Sequence, residues 1–260
     1  MRKGRFWYLL ITSILTILIV IFTFFYSTKY DIYLYIACIL AYIPNFTFRK
    51  SERDQLLAIV SEYAQNCDSN RYFNSVKDYY NSLYLSKRAR RFTDITLATI
   101  LIDMGDFKTA ENMLIDLKDI IDKASSLNRY SYFRALSSLY YEKGEAKHYE
   151  IILNEMRKIL DNERNPNIHN NLVSNFRHVE AKYFIMNGIY LDKARSVYEE
   201  ILALNTPPVM RISANYYLGV ISIKENKRDK ALEYFKKVAF SDKNLYLVTK
   251  AMKYVEAFEI

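Results

Sequence analysis

Beyond residue 50 this 260-residue chain repeats itself. Aligning Gly105 with Gly144 lays Leu97-Ala98 over Leu136-Ser137, Leu101 over Tyr140 and Leu114 over Leu153. Each stretch then reads as a helix, a glycine turn and a second helix. A repeated unit constrains a fold strongly, because one helix pair cannot bury its apolar face alone and must stack on its neighbours. The whole chain contains five Gly and four Pro, so turns are few and an all-α fold is expected.

The last repeat is the clearest, with Leu218-Gly219 in its first helix and Ala231, Phe235 and Val238 in its second. The segment GDFKTA, Gly105 to Ala110, supplies a matching turn, and another unit runs through Ala181, Gly188, Ala194 and Tyr198 to Pro207-Pro208, with its register fixed only to within one residue. These features resemble the tetratricopeptide repeat family over about residues 92–240. The resemblance implies an α-solenoid of antiparallel helix pairs whose packing positions include Ala98, Gly105, Ala110, Gly144, Ala194, Leu218, Gly219 and Ala231. A bulky side chain at Ala110 or Ala231 would force paired helices apart. The marker positions Ala110, Tyr149, Ala194 and Ala231 are 39, 45 and 37 residues apart, longer than the family's usual repeat of about 34. Tyr149 replaces a small residue, which predicts an opened or tilted pair there.

The family register also implies a concave groove. It would present Ile95, Thr99 and Asp103, then Arg134, Ser138 and Tyr141, then Tyr216, Val220 and Lys224. Residues 51–91 read as an irregular helical pair with a basic linker, 92–241 as the repeats, and 242–260 as a capping helix with an apolar stripe from Leu245 to Phe258.

Residues 1–50 read differently. Phe6 to Thr28 is uncharged, and 23 residues at about 1.5 Å each exceed a hydrocarbon core of about 30 Å. A second uncharged run, Ile32 to Phe48, follows the polar turn at Lys29 and Asp31. The expectation is a transmembrane hairpin spanning about 6–28 and 32–48. Arg2, Lys3 and Arg5 before it and Arg49, Lys50 and Arg53 after it outweigh Lys29, which places both termini and the repeats on the cytoplasmic side of the cell membrane. If only the first run spans, the repeats lie on the opposite side.

The net charge of +8 is concentrated there, since residues 1–50 carry +5 and the other 210 carry +3. That distribution argues against a nucleic-acid footprint. Lys87, Arg88, Arg90 and Arg91 form the densest basic cluster, which reads either as a solvated turn or as a contact for anionic lipid headgroups. Cys38 and Cys67 do not frame a disulfide scaffold. His148, His169 and His178 have no metal-ligand spacing, and no phosphate loop or nucleophile elbow occurs, so neither enzyme, cofactor, metal nor small-molecule substrate is expected.

The sequence therefore points to a membrane-anchored scaffold binding a protein or peptide partner. The alternative is a transporter-accessory or immunity-like protein acting through its transmembrane hairpin.

Overall fold

The computed structural model describes residues 14, 17, 18, 21, 54–82, 87–241 and 243–259. Among them every regular element is helical and no strand occurs. The helices are α1 (54–66), α2 (Ser69–Ser82), α3 (Lys87–Met104), α4 (Phe107–Ile115), the single turn α5 (Lys118–Ile121) and α6 (Ser126–Lys143). They continue with α7 (Ala146–Asn162), α8 (Pro166–Asn187), α9 (Leu191–Ala203), α10 (Pro208–Lys224), α11 (Arg228–Ala239) and α12 (Tyr246–Glu259).

One expectation is corrected. No helix among the described residues is long and apolar enough to cross a membrane. Apart from Ile14, Ile17, Leu18 and Ile21, the runs assigned to the transmembrane hairpin lie outside the described residues. From α1 onward, charged and polar residues interrupt the apolar ones, so each helix buries one face against protein and keeps another polar. Among the described residues the fold class is all-α, a repeat-like stack of helix pairs with no helix fit to cross a membrane.

The same turn closes four successive pairs. At Gly105, Gly144 and Gly188 the backbone is left-handed, with φ of 86°, 72° and 68°, and Asn226 takes that place with φ of 59°. The following N–H donates five residues back in each case: Asp106 to Leu101, Glu145 to Tyr140, Ile189 to Phe184 and Lys227 to Ser222, at 2.9–3.0 Å. This ties off carbonyls that a helix end would otherwise leave unpaired. Asp106 then starts α4 by accepting from the Thr109 N–H at 3.2 Å.

Small residues sit where helices approach most closely. Ala98, Ala110, Ala194 and Ala231 are fully buried, as is Leu218. A Cβ on Gly219 would lie 2.8 Å from two Phe235 ring atoms, so α10 and α11 meet backbone against ring. Tyr149 does not open its pair. It is fully buried, and its hydroxyl donates to the Val179 carbonyl of α8 at 2.7 Å, which turns a bulky side chain into a tie between units. Tyr130 makes a second such tie to the Leu172 carbonyl at 3.1 Å.

The first helices α3, α6, α8 and α10 lie side by side, and each second helix packs between its own partner and the next unit. The stack curls until its ends meet. The capping helix α12 packs on α10 and α11 and also reaches α3. There the Tyr246 ring covers Gly105 and makes an edge contact with Phe107 at 5.5 Å. Cys67, between α1 and α2, is buried in the same apolar cluster as α10, α11 and α12.

Candidate functional site: a charged cavity inside the stack

Because the stack closes, the concave face becomes the wall of a cavity of about 400 Å³. Helical spacing of three and four residues builds this wall, since such residues share one face. Thr99 and Asp103 project from α3, and Arg134, Ser138 and Glu142 from α6. From α8 come Asn175, His178, Val179 and Lys182, and from α10 come Val209, Ser213 and Tyr217. Tyr198 and Ile201 of α9, Tyr63 of α1 and Leu245 to Leu247 complete it.

Four of the eight groove residues expected from sequence are brought together here: Thr99, Asp103, Arg134 and Ser138. The other four are not. Tyr141 is half-buried behind the wall, its ring edge against Tyr149 and Tyr217. Tyr216 is buried against Phe235, with its ring face 5.3 Å from the Lys250 ammonium. Val220 packs half-buried on the C-terminal core, and Lys224 is exposed at the end of α10. The inner face of α10 follows 209, 213 and 217, one residue from the expected 216, 220 and 224 in phase, and one residue rotates a helix by about 100°. Ile95 is core. Lys87 to Arg91 open α3, and the lipid-headgroup contact expected of Lys87, Arg88, Arg90 and Arg91 lies outside the described side chains.

The charges inside are unevenly matched. Glu142 pairs with Lys250 of α12 at 2.7 Å, a contact linking residues 108 apart in sequence. Burial alone would lower the Lys250 pKa, but the Glu142 carboxylate and the Tyr216 hydroxyl outweigh it and hold the ammonium charged. Among the described residues no carboxylate comes within ion-pair distance of Arg134 or Lys182. The Lys182 ammonium instead lies over two rings, 5.7 Å from the centre of Tyr141 and 5.1 Å from that of Tyr217. Burial pulls its pKa down, with Glu142 and Asp103 opposing.

Asp103 is open to the cavity but enclosed by protein beyond it. This loss of solvent pushes its carboxyl up to about 6, with Lys182 and Arg134 pulling the other way and Glu142 adding to the rise. His178 is lowered by burial and by the neighbouring Lys182 and Arg177 cations, so it is neutral at pH 7. The Tyr198 hydroxyl is buried at the wall and has no hydrogen-bond partner among the described residues. Burial raises its pKa far above the ordinary tyrosine value and keeps it protonated.

Among the described residues no three His, Cys, Asp or Glu side chains are grouped to hold a metal ion. What the cavity offers is two cations that no carboxylate among the described residues pairs, one carboxyl raised to about 6, several hydroxyls and an apolar floor. That set can hold an anion and exchange a proton beside it.

The sequence missed Glu142, Asn175, His178, Lys182, Ser213 and Tyr217. The offset of 39 residues that carries Thr99 onto Ser138 also carries Asp103 onto Glu142, so this one residue was within reach of the repeat alignment. Compared with protein-family models, curated proteins and solved structures, the chain shows no significant match in any of the three.

Proposed function

We propose that the chain is a helical-repeat receptor of the tetratricopeptide type that takes a short segment of a protein partner into its inner cavity. The assignment to that family draws support from the four left-handed turns with a shared hydrogen-bond pattern and from the small residues at the helix crossings. The observation that carries the binding reading is the concave wall itself. First helices of four successive units place polar side chains inward around about 400 Å³, while apolar Ile201, Val209 and Leu245 form the rest. Ligand sites of this kind hold about 300–1,000 Å³ and combine an apolar lining with a few convergent polar groups. A space of this size suits a few residues of extended peptide rather than a folded surface. Stacked repeats commonly bind along their concave side, because each unit touches its neighbours and leaves that face continuous.

The test uses the full-length chain and a pool of acetylated tetrapeptides, with bound members recovered by rapid gel filtration and identified by mass spectrometry. The wild type should retain a defined subset. Ser138→Trp, whose indole would occupy the cavity, should reduce retention at least about tenfold, a loss of about 1.4 kcal/mol, with the circular-dichroism spectrum unchanged. No retained peptide, or retention equal in the variant, would contradict the reading.

A further inference from the structure

Beyond the peptide reading, we propose that Lys182 is a nucleophilic amine that condenses with the carbonyl group of a small aldehyde or ketone held in the cavity.

Helix α8 places this amine. Asn175, His178 and Lys182 follow one another at three and four residues, so Lys182 joins the face that lines the cavity. Its ammonium lies over the Tyr141 and Tyr217 rings at 5.7 and 5.1 Å. No carboxylate among the described residues comes within ion-pair distance of it. Lys250 shows the contrast, since Glu142 lies 2.7 Å from its ammonium and helps to hold the proton there. Without such a partner, burial withdraws water from the ammonium and favours the neutral amine. The two rings favour the charge, but a ring face does so more weakly than a carboxylate that accepts a hydrogen bond. Burial accordingly pulls the Lys182 pKa below the usual lysine range; Glu142 and Asp103 oppose, and Arg134 and Lys250 add to the fall. Of the other groups lining the cavity, Tyr63, Tyr198 and Tyr217 are held protonated by burial and His178 is neutral at pH 7, so none of these supplies a balancing charge.

An amine that is desolvated or set beside a second cation is activated as a nucleophile, because more of it carries an unprotonated lone pair at neutral pH. That lone pair forms a C–N bond to the carbonyl carbon while the C=O π pair moves to oxygen, which takes up the proton that the nitrogen sheds. The nitrogen lone pair then forms C=N as the hydroxyl leaves with a second proton, as water, and the nitrogen gives up its remaining proton. Amine and carbonyl become imine and water, with no oxidant or reductant. Ile201, Val209 and Leu245, with the tyrosine ring faces, suit a neutral aliphatic or aromatic body, and about 400 Å³ holds one the size of benzaldehyde.

Benzaldehyde with sodium cyanoborohydride, given to the full-length chain at pH 7, reduces the imine to a benzylamine that tryptic mass spectrometry assigns to a particular lysine. Lys182 should be benzylated ahead of Lys108 and Lys147, which are exposed on α4 and α7. Lys182→Arg keeps a cation over the rings but offers no such amine, so that adduct should be lost with the circular-dichroism spectrum unchanged. Trace acetylation with acetic anhydride across a pH series gives a second readout. The pH of half-maximal labelling at Lys182 should fall below the ordinary lysine value of about 10.4. It should fall further in Asp103→Asn, which removes an opposing negative charge, and rise in Arg134→Gln, which removes a neighbouring cation. Benzylation of Lys182 no faster than that of Lys108 and Lys147, half-maximal labelling at or above about 10.4, or a half-point unmoved in both variants would overturn the proposal. Peptide retention involves no covalent step, so the peptide reading stands or falls by its own test.

Discussion

Closure of the stack by α12 can be tested at one glycine with another as its control. Gly105 and Gly144 both end an inner helix in the left-handed region, with φ of 86° and 72°, and alanine in either pays the same backbone strain of about 1–2 kcal/mol. Their surroundings differ. Among the described residues a Cβ on Gly144 meets nothing within 4 Å, whereas a Cβ on Gly105 would lie 2.8 Å from Cδ2 and 3.1 Å from Cε2 of Tyr246. That ring cannot swing away freely, because Phe107 lies edge-on at 5.5 Å and the Lys250 ammonium sits 5.5 Å from its centre. Overpacking of this kind costs about 1–3 kcal/mol. Urea denaturation followed by circular dichroism should therefore find Gly105→Ala less stable than Gly144→Ala by about 1–3 kcal/mol. In a Tyr246→Ala background the gap should collapse, because the obstructing ring is gone. Equal destabilisation by the two alanines in the otherwise native chain, within about 0.5 kcal/mol, would refute the docking of α12 against α3.

Three further substitutions probe the ties around the cavity. Tyr149→Phe removes the hydroxyl that reaches the Val179 carbonyl at 2.7 Å and should cost about 1–2 kcal/mol in the same denaturation assay. Lys250→Met strands the Glu142 side chain, which is 8% exposed, and should cost about 2 kcal/mol; a fully buried pair would cost about 3–5, but Lys250 is itself partly open to solvent. It should also speed amide exchange in α12, read by mass spectrometry. Asp103→Asn tests the sign of the carboxyl shift. With a folded value of about 6 against 3.8 unfolded, the native state holds its proton more tightly, so wild-type stability falls as pH rises from about 4 through 6. The variant should lose that dependence and melt higher than wild type at pH 7, with the difference shrinking toward pH 4. A wild-type melting temperature that climbs over that window, with no change in Asp103→Asn, would contradict the shift.

The helix-pair turns were legible because backbone chemistry marks them. A left-handed residue is needed after each inner helix, and glycine at 105, 144 and 188 announces it. Asn226 fills the same role without that mark, and Gly219 belongs to a different task, the close approach of Phe235. The inner rail of α3 and α6 was readable for the same reason, since a fixed offset of 39 residues carries one onto the other.

The rail of α10 was not readable because Tyr216 and Tyr217 are neighbours of one type, and periodicity alone does not say which turns inward. Tertiary contacts decide it: Phe235 and Lys250 hold Tyr216 in the core, and Tyr217 is left to the cavity. Tyr141 and Glu142 were exchanged by a similar step, with Glu142 fixed inward by Lys250. The rail of α8 went unseen because this helix is 22 residues long and its unit is displaced by 45 residues rather than 39. Ring closure left no local trace, since it depends on contacts such as Lys250 with Glu142 and Lys243 with the Gln65 carbonyl, 108 and 178 residues apart.

Hydrogen exchange of the full-length chain, with and without the retained tetrapeptides, tests the central claim most directly. A ligand in the cavity should slow exchange in the inner segments 99–103, 134–142, 175–182 and 209–217 and at the start of α12, while the outer helices α4, α7 and α11 stay unchanged. Protection confined to those outer helices would place the ligand on the opposite face and contradict the account.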